Sequence, residues 1–125
     1  SLLRGYDLSQ KIPLINMSPD DISLNLKYSF QGEKKFLSPS ISVLSSYHFK
    51  QNHLLAYQDY MAAPDAYFLL GLAYSQKKKK KKGSLNLALD IENLLNQKYR
   101  DYLNRLRYFA DETGINFRLR IMYNF

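Results

Sequence analysis

The chain has 125 residues and no cysteine, and most of its formal charge of +7 comes from six consecutive lysines, Lys77 to Lys82. The missing cysteine excludes a disulfide framework, a thiolate metal centre and a cysteine nucleophile. No run approaches the roughly 18 apolar residues of a spanning helix. Without the lysines the chain is close to neutral, which leaves no basic surface for a nucleic-acid partner.

In chain order, the start at Ser1, with neither an initiating methionine nor a secretory leader, reads as mid-protein or processed. Residues 1–10 carry at most the end of an earlier strand, and residues 11–21, KIPLINMSPDD, break any strand at Pro13 and Pro19. From there the apolar side chains recur every second residue, the period of a strand rather than a helix. The first such segment sets Ile22, Leu24, Leu26, Tyr28 and Phe30 against Ser23, Asn25, Lys27 and Ser29. The second sets Ile41, Val43, Ser45, Tyr47 and Phe49 against Ser42, Leu44, Ser46, His48 and Lys50, and the third sets Phe68, Leu70, Leu72 and Tyr74 against Leu69, Gly71, Ala73 and Ser75. Residues 77–83, with the lysine run, read as a solvated low-complexity turn without a binding role.

The fourth segment places Leu85, Leu87, Leu89 and Ile91 opposite Ser84, Asn86, Ala88, Asp90 and Glu92. Residues 92–104 are the one helix candidate, and they merge into a long loop over 96–114. The fifth segment places Ile115, Phe117, Leu119, Ile121, Tyr123 and Phe125 opposite Asn116, Arg118, Arg120, Met122 and Asn124. Short connections at 31–37 and 77–83 alternate with long ones at 51–65 and 96–114, so hairpin order puts like with like at each end of a sheet.

Only Ser45 is polar on the apolar face, and no charge falls there, while the other face holds few large apolar residues: Leu44, Leu69 and Met122. A sheet with one such face needs cover, and the chain offers no second layer. Lipid could supply it. Strands of about 9 to 11 residues, tilted by about 45°, cross an outer membrane. Unpaired backbone in hydrocarbon is tolerated only when a barrel closes. The expectation is therefore an all-β fold, an antiparallel transmembrane β-barrel, of which this chain is a carboxy-terminal fragment of about five or six strands. Aromatics cluster where strands end, as at Tyr28, Phe30, Tyr74, Tyr123 and Phe125, in the manner of an interfacial girdle.

KIPLINMSPDDISLNLKYSF at 11–30 and LDIENLLNQKYRDYLNRLRYFADETGINFRLRIMYNF at 89–125 resemble the last strands of a TonB-dependent outer-membrane receptor of the siderophore or small-cofactor class. The second stretch carries most of the likeness, with Asn93 to Asn96 and Tyr99 at a strand exit, Gly114 before the last strand, and a terminal Phe125. The lysine run departs from the family pattern. The resemblance implies that residues 1–125 are the end of a receptor barrel in the bacterial outer membrane, with the plug domain and remaining strands absent from the sequence. It implies active import of an iron-siderophore or similar small molecule, energised by a periplasmic coupling protein. It also implies that the barrel-assembly machinery reads Tyr123 and Phe125 as a signal. A passive porin or adhesin-like barrel without a plug is the alternative.

On the lumen-facing side the candidates are His48, Asp90, Glu92, Arg118 and Arg120, the last four within reach of one another as a cross-strand ionic lattice. In the long loop, Tyr99, Arg100, Tyr102, Arg105 and Tyr108, together with Arg107 and Phe109, could form an anionic or aromatic ligand surface or pack over the rim. His48, His53, Asp59 and Asp65 lack metal-ligand spacing. No GxSxG, HExxH or P-loop is present, so no catalytic residue, cofactor or metal is assigned and the chain reads as a non-enzyme. Its aromatics face away from Lys27, Lys50, Arg118 and Arg120, which disfavours nucleic acid.

Overall fold

The computed structural model describes residues 1–31, 36–55, 58–80 and 82–125, and of residues 36–38 the backbone alone. Its strands are β1 (Tyr6–Asp7), β2 (Ile12–Pro13), β3 (Asp21–Ser29), β4 (Phe36–His48), β5 (Tyr67–Lys80), β6 (Gly83–Glu92) and β7 (Asn116–Asn124), with one 3₁₀ turn at Arg105–Tyr108. β1 and β2 form a small ribbon, and the other five form one sheet in the order β3-β4-β5-β6-β7. The alternating segments thus become neighbouring strands in sequence order. The tip of the first short connection, residues 32–35, and Lys81 lie outside the described residues.

The chain divides into two compact units. One holds residues 24–45, 69–96 and 115–125, the body of the sheet. Its antiparallel register runs unbroken from Leu72↔Ile91 to Lys80↔Gly83 and from Ser84↔Asn124 to Glu92↔Asn116. Directly opposed side chains share a face. Leu72, Ile91 and Phe117 therefore make one apolar row, Tyr74, Leu89 and Leu119 the next, and Gln76, Leu87 and Ile121 a third. Ala73, Asp90 and Arg118 lie on the opposite face, as do Ser75, Ala88 and Arg120.

β6 ends where Asn93 takes a left-handed φ of 49°, and Asn96 does the same at 50°. Asparagine tolerates this region because its short polar side chain can bond the local backbone. The Asn96 carboxamide accepts from the Ile115 N–H at 3.0 Å, fixing the chain where it returns towards β7.

The barrel is not closed: β3 and β7 are the outer strands of an open sheet and are not neighbours. Alternation specifies one apolar face and one polar face, but closure also requires the first and last strands to bond, and they do not. The lysine run is not a turn over 77–83. Lys77–Lys80 continue β5, paired to Asn86, Leu85, Ser84 and Gly83, so register with β6 overrides the low strand preference of lysine. Gly83, at φ 108°, supplies the left-handed geometry that begins β6.

The second unit holds residues 1–23, 46–68 and 97–114. β1 and β2 lie here, the turn between them built on Asp7, whose Oδ1 accepts from the Ser9 and Gln10 amides. Pro13 ends β2. Arg4 grips Asp20 with two hydrogen bonds of 2.5 and 2.7 Å. Residues 92–104 form no helix, and the only helical geometry among the described residues of the loop is the 3₁₀ turn. Its start is capped by Asn104, whose Oδ1 accepts from Leu106 N–H at 2.9 Å.

Candidate functional site

Among the described residues the buried apolar side chains are Tyr67 and Tyr102, and both belong to the loop-bearing unit. Around them the long connections assemble a polar and aromatic cluster. The 3₁₀ turn presents Arg107, which is 5% exposed, to Asp59 in the preceding long loop. Its Nη2 donates to Asp59 Oδ2 and, at 3.0 Å, to the Tyr108 hydroxyl. Tyr108 in turn donates to Asp59 Oδ1 at 2.6 Å. The guanidinium carbon lies 4.5 Å from the Tyr102 ring centre and 4.6 Å from that of Tyr108, within cation–π range of both.

Burial alone would raise the Asp59 carboxyl, but the hydrogen bonds from Tyr108 and Arg107 and the Arg107 charge outweigh it and hold the group below its ordinary value. Tyr108, bonded to that carboxylate, is pushed up. Tyr67 is pushed up by burial first, then by Asp101, whose Oδ2 accepts its hydroxyl at 3.2 Å.

Of the loop candidates, Tyr102 and Tyr108 meet through Arg107. Arg100 braces the same turn, donating to the Arg107 carbonyl at 3.0 Å and to Asp111 at 2.6 Å. Tyr99 sits 4.5 Å from Tyr67, which stacks on His48 at 4.6 Å, so His48 belongs to an aromatic stack. Arg105 is exposed and makes no ion pair among the described residues. The residue that sequence reasoning assigned no role here is Asp59, which stands 48 positions before Arg107, and no local pattern links them.

A cleft of about 450 Å³ in this unit is lined by Lys50, Asp65, Tyr67, Lys98, Arg100 and Asp111 among others. Its charges largely close on themselves, since Lys50 bonds Asp65 at 2.8 Å and Arg100 bonds Asp111. Among the described residues no three of His, Cys, Asp and Glu gather as a metal ion would require.

In the sheet unit, Arg118 lies directly across from Asp90 and bonds Glu92 at 3.1 Å, while Arg120 lies across from Ala88. The pair is half-exposed on both sides, which limits it to about 0–1 kcal/mol. Tyr123 packs edge-on against Phe125 at 4.9 Å. The other face is what stays unsatisfied. Ile22 in the loop-bearing unit and Leu24, Leu26, Tyr28, Phe117, Leu119 and Ile121 in the sheet unit are all 55–66% exposed.

No family model, curated protein or solved structure matches the chain. The likeness to TonB-dependent receptors is thereby corrected, because it rested on short motifs that no family model extends. The open sheet removes the other support. Neither the active importer nor the passive porin or adhesin-like barrel is retained. The outer-membrane location goes with them, as do the lipid belt, plug, coupling protein and assembly machinery expected as partners. No helix among the described residues is long and apolar enough to cross a membrane.

Proposed function

We propose that this chain is a non-catalytic β-sheet module that acts by association, taking the apolar surface of a protein partner onto its exposed sheet face. The observation that carries this is the contrast within the chain. The polar cluster of the loop-bearing unit is closed on itself, and among the described residues no buried side-chain nitrogen or oxygen lacks a hydrogen bond. Leu24, Leu26, Tyr28, Phe117, Leu119 and Ile121 on the sheet's apolar face are by contrast more than half exposed.

A sheet buries an apolar face against a second layer, and contiguous exposed apolar patches mark interaction surfaces. Fully burying a Leu, Ile or Phe side chain yields about 1.5–3 kcal/mol. At the exposures found on β3 and β7 roughly half of that remains to be gained at each residue. Summed over the six side chains of the sheet unit, this exceeds the lower estimates of the cost of association, about 4 kcal/mol.

The test is sedimentation of the full chain with a hydrophobic dye, in plain buffer and in mild non-ionic detergent. Large assemblies and dye binding in buffer, both lost in detergent and reduced by Leu119→Asp, are expected. A monodisperse, cooperatively unfolding monomer that binds no dye would refute the proposal.

A further inference from the structure

We infer that a second copy of this chain pairs antiparallel with β7, about a two-fold axis at Ile121, to continue the sheet across two molecules. The inference rests on the association reading and names the partner for the sheet edge, leaving the apolar face to the partner described above.

The two outer strands are not equivalent. At the start of β3, Asp21 exchanges both backbone hydrogen bonds with Ser1, so that edge is already occupied at one position. β7 is paired to β6 on one side, and all nine of its residues are exposed. It has no proline, and its register with β6 contains no bulge. Proline, bulges and charges directed onto the apolar face are among the devices by which edge strands avoid pairing, and β7 has none of these three; its charges, Arg118 and Arg120, lie on the polar face.

Its sequence is also complementary to itself. In antiparallel pairing, opposed residues share a face, so a two-fold axis must pass through one residue and its own copy. An axis at Arg120 would set the two Arg120 side chains against each other, and an axis at Leu119 would set Arg118 against Arg120 twice. Like charges in these positions are destabilising. An axis at Ile121 removes every such clash and pairs residues 117–125, whereas an axis at Met122, also free of clashes, pairs only 119–125 and leaves Phe117 unmatched. Ile121 then meets its copy, Leu119 meets Tyr123 and Phe117 meets Phe125 on the apolar face. On the polar face Arg120 meets Met122, and Arg118 meets Asn124. Apolar residues oppose apolar ones, and no charge opposes its like.

The full chain has no cysteine, which makes the register directly readable. Opposed Cα atoms in an antiparallel pair lie about 4.5–5.5 Å apart, inside the range a disulfide spans. In mild detergent, under oxidation, Ile121→Cys should form a covalent dimer at least ten times faster than Leu119→Cys. The Leu119 copies would stand about 14 Å apart in this register. Mixing Leu119→Cys with Tyr123→Cys chains should restore the crosslink. Two further variants read the same register through charge without touching the apolar face. Met122→Glu places a carboxylate opposite Arg120 of the other copy and should tighten the dimer several-fold, and Met122→Arg should weaken it by a similar factor.

A chain that associates but crosslinks equally at 119 and 121, or ignores the charge at 122, would overturn the β7 pairing while leaving the association reading standing. A chain that stays monomeric in both buffer and detergent would overturn both.

Discussion

Replacing Arg107 by methionine isolates what its buried charge contributes. Methionine keeps an unbranched stem between the Tyr102 and Tyr108 rings and removes the guanidinium. Arg107 is 5% exposed and Asp59 12%, so neither is well screened by water. Removing one partner of such a pair leaves the other charged and uncompensated, which costs about 3–5 kcal/mol, against about 0–1 kcal/mol for an exposed pair. The two cation–π contacts add about 1 kcal/mol. The expected loss is therefore about 4–6 kcal/mol in the loop-bearing unit. The assay is hydrogen exchange at the Phe109 and Ala110 amides, which bond the Leu106 carbonyl at 2.9 and 3.0 Å, beside a urea titration followed by tyrosine fluorescence. Asp59→Leu and the double variant complete a cycle whose coupling measures the pair itself. A loss below about 1 kcal/mol, or no coupling, would show that the Asp59–Arg107 pair does not hold the loop-bearing unit together.

Acid should loosen the same unit. The folded Asp59 carboxyl lies below its ordinary 3.8, so its stabilisation is complete above that value and is lost as pH falls through the folded one. Asp59→Asn should flatten this part of the stability–pH curve, and an unchanged acid limb would remove Asp59 from the account. Gly83→Ala should weaken β6 and β7 by about 1–3 kcal/mol, since the backbone is left-handed there and the added Cβ would lie 2.0 Å from the Asn124 carbonyl oxygen. Retained amide protection across β7 would contradict that. Glu92→Gln should change stability by less than about 1 kcal/mol, because its bond to Arg118 is half-exposed, and a larger loss in a thermal melt would mean the lattice is better desolvated than its geometry indicates.

The strands were legible because their signal is local: Leu85, Leu87, Leu89 and Ile91 fall on one face by spacing alone, and their rows with β5 and β7 follow from it. Closure was not legible. The same alternation suits a barrel, a sandwich or an open sheet, and only the neighbours of β3 and β7 decide between them. Asp90, Glu92 and Arg118 share a face by parity, and their register is given only by the structure. The Asp59–Arg107 pair was invisible because it joins two loops through space, and the 3₁₀ turn because four residues carry too little periodicity to announce it.

The β5–β6 hairpin ends in lysines that alternate between the two faces, Lys77 and Lys79 on one and Lys78 and Lys80 on the other. Successive lysines on a face stand about 7 Å apart along the strand, inside the screening length of about 10 Å at 0.1 M salt. Their mutual repulsion therefore opposes the last rungs of the ladder, and added salt relieves it. Amide protection at Lys79 and Lys80 is therefore expected to rise with added salt, and protection that is the same in dilute and concentrated salt would refute this.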